Sequence, residues 1–225
     1  MLKADTRIAG SATVGDWARA RMRLQNNPSL EELEEIFDKF LLGRLESRYF
    51  GPIKQLEASP VLDGEGFAIV TLYCSTVEFL ASIRLGKNYR HTSRSSRKKP
   101  LPHEYSDSQK MFVDFLRKQD PFKELFTTKV LAKGFYADVR CGLVHEACTK
   151  GDWKIRVGDS SKVAIDVRKK VIYRNRLAEL FSNYINTYKD CFLLDRSIQS
   201  NFARKFDYLC DLNQPSDELL SGSSS

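Results

Sequence analysis

The chain has no Cys-x-x-Cys pair, no clean apolar run of membrane-spanning length and no internal repeat. Its five cysteines, Cys74, Cys141, Cys148, Cys191 and Cys210, are odd in number and scattered. That argues against a disulfide framework and against a zinc ribbon. Cys74 falls inside an apolar helical run, where a reduced, buried thiol is the ordinary state. A reducing cytoplasm is the expected location. The opening residues are mixed and polar, with no apolar stretch before a small-residue cleavage site, so no signal peptide is expected. The most apolar segment, Phe67 to Leu85, is interrupted by Thr71, Ser75, Thr76, Glu78 and Ser82. It predicts a buried helix of a soluble protein and no membrane partner.

What is present supports a real core. A hydrophobic fraction of 42% over 225 residues fits one large domain, or one domain with extensions. A net charge of +7 and a pI near 9.1 favour a polyanionic partner. The charge is clustered. Between Arg84 and Lys99 stand Arg84, Lys87, Arg90, Arg94, Arg97, Lys98 and Lys99 with no acid among them, and Tyr89 and His91 are interleaved. Serines and Pro100/Pro102 mark this stretch as a mobile loop. It is either a solvated loop or, the favoured reading, an element that tracks phosphates.

Residues 1–28 form a basic N-terminal extension with Arg7, Arg19, Arg21 and Arg23, either a loosely ordered arm or a short helix around Trp17. Ser29 with Glu32 is a capping box, opening a helix that carries Leu30, Leu33, Ile36, Phe37, Phe40 and Leu41. Gly51-Pro52 breaks or kinks it after Tyr49, and Ile53–Ala58 either continues it or lies beyond its end. The Phe67–Leu85 helix is apolar on nearly every side and should sit centrally, with Glu78 as its exception. A third helix is expected over Ser106–Gln119, and a fourth, or a helix pair, over Phe122–Lys150. Trp153–Val157 and Val163–Val167 predict two short strands around a turn, which Lys169–Tyr173 extends or follows with a third. Further helices are expected around Leu177–Tyr188 and Ser197–Leu212. The tail from 214 to 225, polar and small, is expected to be disordered.

The candidate chemistry lies in Arg140-Cys141-Gly142-Leu143-Val144-His145. Arginine is a permanent cation suited to phosphate, and histidine moves protons near neutral pH. On a helical wheel Phe135, Val139, Leu143 and Ala147 form the core stripe, and Arg140, Cys141, Val144, His145 and Cys148 the opposite face. Arg140 and His145 lie about 140° apart on an ideal helix. One copy does not easily aim both at a single phosphate, whereas a two-fold axis near this face would gather two such pairs.

This Arg-x4-His run, late in a helix of a mostly helical domain, resembles the HEPN superfamily. The flanking Asp138–Ala147 string, Lys150-Gly151, Trp153 and the strand pair before Val171–Leu177 add to the resemblance, which covers residues 29–195. It implies a mainly α fold: a bundle of four to five helices with a small β-hairpin insertion near 153–173, followed by a C-terminal helix at 196–213. It also implies a homodimer through the Arg140/His145 helix and metal-independent RNA cleavage, with no cofactor. Arg140 would bind the scissile phosphate and His145 would act as general acid/base, leaving 2′,3′-cyclic phosphate and 5′-OH ends. Such relatives serve as toxins or defence nucleases, so an antitoxin or other regulatory partner is implied as well. Cys141 stands where the family often has a polar residue. A third catalytic group would come from Glu78, Asp138 or Glu146, with Glu78 ranked first because acids in that helix play such a role in some relatives. RNA would be held by Arg90, Arg94, Arg97, Lys98, Lys99 and Arg174. Arg174 belongs to a second cluster, with Arg168, Lys169, Lys170 and Arg176, that is either a solvated edge or an RNA-binding rim.

Other readings stand beside this one. The same fold could hold RNA or a protein without cutting. Arg140 could simply pair with Asp138 or Glu146. Cys141, His145 and Cys148, at i, i+4 and i+7, could offer three ligands to zinc, short of the usual four.

Overall fold

The computed structural model describes residues 2–58, 63–91, 100–158 and 163–212. Among them the fold is mainly α, with eight helices and a few short strands. A hairpin of β1 (Arg7–Ala9) and β2 (Ala12–Thr13) leads into α1 (Val14–Gln25). Thr13 caps α1 through a reciprocal capping box with Asp16. Of the two expectations for the N-terminus, the helix around Trp17 is the one found. Trp17 is fully buried, its Nε1 donates to Asp207 Oδ1 at 2.8 Å, and Arg21 Nε donates to Asp207 Oδ2 at 2.9 Å.

The helix α2 runs over residues 30–57, opened by the Ser29/Glu32 capping box. Gly51-Pro52 does not end it. Two stretches, Phe37–Leu42 and Glu46–Phe50, widen to i→i+5 turns, and the second lies directly before the proline. Proline has no N–H to give, and a locally widened ladder accommodates the missing bond. Glycine at 51 is part of this solution, because a Cβ there would lie 2.8 Å from the Glu46 carbonyl oxygen.

The central helix α3 (Glu65–Leu85) packs against α2, α8 (Arg196–Leu209) and α4 (Ser108–Lys118). It is long and apolar enough to cross a membrane by length and composition, yet it buries Ile69, Val70, Tyr73, Cys74, Val77, Leu80 and Ile83 in the core. After α3, β3 (Asn88–Tyr89) pairs in parallel with β4 (Glu104–Tyr105), so the ends of the basic stretch are tied together.

Residues 122–150 are not one helix. A short α5 (Phe122–Leu125) is followed by a break, and Thr128 caps a new helix, α6, by accepting from Leu131 N at 3.2 Å. α6 spans residues 129–146, with a wide-turn stretch at Tyr136–Cys141. Ala147, in the left-handed region at φ 54°, ends it before the expected Lys150.

The expected hairpin between 153–157 and 163–167 is also corrected. β5 (Lys154–Arg156) and β6 (Ile165–Asp166) do not pair with each other; β7 (Val171–Tyr173) lies between them, parallel to β5 and antiparallel to β6. Val171 and Ile172 are both buried, and a strand covered on both faces is suited to the middle of a sheet. α7 (Leu177–Leu194) and α8 then close the fold. The expected disordered tail lies outside the described residues.

The core is aromatic. Trp17 meets Phe40 edge-on with centroids 5.0 Å apart and also packs on Phe202 and Phe206. Phe115 meets Tyr184 at 4.7 Å, and Phe135 meets both Phe126 and Trp153 edge-on. Such pairs add about 0.5–1.5 kcal/mol each beyond their buried area. The first and last helices, α1 and α8, therefore share one core with the rest.

Candidate functional site around Arg140

Arg140 sits in the wide-turn stretch of α6, on the side that faces α3. Its Nε donates to Glu78 Oε1 at 2.7 Å, across 62 residues of sequence. The two side chains are 20% and 18% exposed. The guanidinium carbon lies 5.4 Å from the centroid of the Tyr136 ring, a cation–π arrangement. Burial pulls the Arg140 pKa down, but the hydrogen bond and charge of Glu78 outweigh it, and the net direction is up. Among the described residues, hydrogen bonding to Arg140 is confined to Nε. Both terminal nitrogens remain for an incoming acceptor, and a guanidinium is built to meet phosphate oxygens through such donors.

Of the three acids weighed as partners of the motif, Glu78 is the one that meets Arg140. Glu146 turns instead to Lys150 at 3.1 Å, and the Asp138 carboxylate lies against Gly151. Among the described residues Glu78 forms a hydrogen bond and ion pair with Arg140 and none with His145. His145 is exposed in the last turn of α6. The core stripe holds for Phe135, Val139 and Leu143, while Ala147 has left the helix and is exposed. Across Tyr136–Cys141 the regular step of about 100° per residue does not apply, because each residue of a wider turn rotates less.

The backbone after α6 doubles back on it. Lys150 N donates to the Asp138 carbonyl at 2.8 Å, and Cys148 N to that of Gly142 at 3.4 Å. A Cβ at position 142 would lie 2.5 Å from the Cys148 carbonyl oxygen, so only glycine admits this return beside the motif. The same geometry removes the zinc alternative in the form expected: Cys148 lies beyond the helix and does not share a face with Cys141 and His145. Among the described residues no three His, Cys, Asp or Glu side chains gather as metal ligands.

The expected RNA-binding residues divide into three groups. Arg94, Arg97, Lys98 and Lys99 lie outside the described residues. Arg90 is half exposed at the foot of that stretch and pairs with Glu104 at 3.0 Å. Arg174 is a correction. It is buried and its Nη2 meets Glu65 Oε1 at 2.6 Å, so it ties the start of α3 to the strand region instead of standing on a rim. Its neighbour Lys170 is likewise engaged, donating to the Gly151 carbonyl at 2.7 Å.

The foot of the basic stretch stands close to the Arg140–Glu78 pair. The Tyr89 and Tyr105 rings meet edge-on at 5.5 Å. Burial pushes the Tyr105 phenol up to about 12, with Glu78, Tyr89 and Tyr208 adding to the rise and Arg140 opposing it. Tyr136 is also pushed up to about 12, by burial first and by Cys141 and Glu78, against Arg140.

Three cations beside this cluster escaped the sequence reading: Arg44, Arg48 and Lys205. The i, i+4 spacing of Arg44 and Arg48 on α2 was legible, and so was a lysine in the apolar stripe of Phe202 and Phe206. A sizeable cavity lies elsewhere. It measures about 390 Å³ between α1 and α8, is lined by Arg21, Arg196, Arg204 and Asp207, and shares no residue with the surroundings of Arg140. No family model, no curated protein and no solved structure matches this chain.

Proposed function

We propose that the chain is a metal-independent endoribonuclease of the HEPN type, with Arg140 and His145 at its centre and Glu78 as the group that orients Arg140. One observation carries the reading: Glu78 holds Arg140 through Nε alone, which fixes the guanidinium and leaves its terminal nitrogens for a phosphate, on the helix that also presents His145. In the proposed reaction the ribose 2′-oxygen attacks the adjacent phosphorus and gives up its proton. The bond to the 5′-oxygen breaks, and that oxygen gains a proton. His145 takes the first proton or delivers the second, and Arg140 stabilises the extra negative charge on the phosphoryl oxygens. The ends are a 2′,3′-cyclic phosphate and a 5′-OH.

A second copy of the chain, packed through α6, would bring a second Arg140/His145 pair to the same cleft and supply the other proton transfer. Val130, Leu131 and Val144 on α6 are exposed, and apolar side chains left on a helix surface support such a contact. Toxin or defence work in the cytoplasm, under a regulatory partner, belongs to this proposal through the family resemblance alone.

The alternative is the same surface holding RNA without cutting. The cluster of Arg44, Arg48 and Lys205 favours it, because it binds anions without needing a histidine. Incubation of purified wild type and His145→Ala with total cellular RNA in EDTA separates the two. Cleavage by wild type alone, with cyclic phosphate ends, establishes the nuclease. Intact RNA in both, bound by folded protein, establishes the binding module.

A further inference from the structure

Arg44, Arg48 and Lys205 come from opposite ends of the chain and gather beside α3. Arg44 Nη1 donates to the Ile8 carbonyl at 2.5 Å, and Arg48 Nη2 reaches the same oxygen at 3.5 Å. Lys205 is buried and donates Nζ to the Lys87 carbonyl at 3.1 Å. Each therefore meets only a backbone dipole, and none has a carboxylate partner among the described residues. Buried and half-buried cations are ordinarily paired with an acid, because desolvating an uncompensated charge is costly. Arg44 and Lys205 depart from this, and with the exposed Arg48 they leave a local surplus of positive charge that an anionic ligand would neutralise.

The cluster is also lined by rings. The guanidinium of Arg44 lies 5.4 Å from the centroid of Phe79, and Lys205 Nζ lies 5.6 Å from that of Tyr208. Tyr208 and Tyr89 are both half exposed. Burial raises the Tyr49 phenol while Arg44 and Arg48 oppose it and Glu78 adds to it, so the cluster and the Arg140 partner act on one ring. Tyr105 meets the Tyr89 ring edge-on, with centroids 5.5 Å apart. Tyr49 packs on Phe79, the neighbour of Glu78, with ring centroids 6.2 Å apart, so the rings beside Arg44 reach the residue next to the candidate site.

We propose that Arg44 and Arg48, backed by the buried charge of Lys205, form with the rings of Tyr49, Tyr105 and Tyr208 a path for single-stranded RNA that ends at the Arg140–Glu78 pair. The assignment to RNA rests on the nuclease reading of that pair. The path itself rests on the unpaired cations and on the alternation of charge with aromatic surface, which suits a phosphate backbone carrying unstacked bases. An acidic polypeptide would use the charge and leave the rings unused.

The test measures binding of a fluorescent 20-nucleotide single-stranded RNA to full-length His145→Ala, titrated at several salt concentrations. Adding Arg48→Gln should lower the slope of log affinity against log salt by about 0.7, the value for one phosphate contact on a single strand. Adding Tyr208→Ala should weaken binding about fivefold or more, as expected when a stacking ring is removed. Both side chains reach solvent, so folding is not at stake. Arg196→Gln removes the same charge about 18 Å before Tyr208 along α8 and should change neither quantity. Equal losses from Arg196→Gln, unchanged binding in the path variants, or equal competition by poly-glutamate would each overturn the path. If the path variants lose binding as stated while wild type cuts no RNA, the path stands and the nuclease falls. If wild type cuts and the path variants bind normally, the nuclease stands and the path falls.

Discussion

Lys205→Met should stabilise the folded protein at neutral pH, although it removes a hydrogen bond. Lys205 is 6% exposed in α8, has no acid beside it, and donates only to the Lys87 carbonyl. Burial, and then the like charge of Arg44, push its pKa from the ordinary 10.5 down to about 8. At about 1.36 kcal/mol per pH unit, keeping this lysine charged in the fold costs roughly 3 kcal/mol relative to the unfolded chain. Methionine has similar reach, fills the space and carries no charge. It leaves the Lys87 carbonyl without its donor, a loss of about 1 kcal/mol. The net gain is about 2 kcal/mol, or roughly 4–8 °C in Tm for a chain of this size. The sign of the pH dependence follows from linkage. Below pH 8 lysine is protonated in both states and the penalty is complete. Between about 8 and 10.5 the unfolded chain holds more protons, so wild-type stability rises with pH there. Above 10.5 the penalty is gone. Urea unfolding of both proteins at pH 7 and pH 10 reads this directly, and comparing the two at each pH cancels every other titrating group. A gap that stays the same at both pH values, or a variant less stable than wild type at pH 7, would refute the reasoning.

Other perturbations test the remaining contacts. Arg174→Met alone should destabilise by about 3–5 kcal/mol in chemical denaturation, because it strands the buried Glu65 carboxylate; adding Glu65→Leu should recover most of the loss. Glu78→Gln should cost about 1–2 kcal/mol of stability and, if Glu78 orients Arg140, should lower the cleavage rate of total RNA without weakening RNA binding. Gly142→Ala should cost about 1–3 kcal/mol, since its Cβ must displace the Cys148 carbonyl; equal melting curves for variant and wild type would contradict the close return after α6. Deleting residues 2–27 removes Trp17 and Arg21 together and leaves Asp207 buried with neither partner, so circular dichroism should show no cooperative transition.

Much of the local structure was legible. The Ser29/Glu32 capping box starts α2 where the pattern placed it, and the apolar run after Gly66 is the central helix. Those signals act between residues three or four apart, where the backbone enforces proximity whatever the rest of the chain does. The core stripe of Phe135, Val139 and Leu143 was legible for the same reason. The wide turns in α2 and α6 were not, because an i→i+5 turn is chosen by what packs against the helix.

The sequence by itself determined where α2 starts, which faces are apolar, and that Arg140 and His145 stand five residues apart on one helix. Tertiary structure decided which charges meet. It brought Glu78 to Arg140, Glu65 to Arg174 and Asp207 to Arg21, and among the described residues it left Arg44, Arg48 and Lys205 without an acid. It also set β7 between β5 and β6 in place of the nearer pairing. The physical reason is common to all of these. Periodicity and capping are properties of a few adjacent residues, whereas an ion pair or strand neighbour depends on how elements distant in sequence are packed. That packing is settled mainly by burial of the shared aromatic core, whose apolar area supplies the larger driving force.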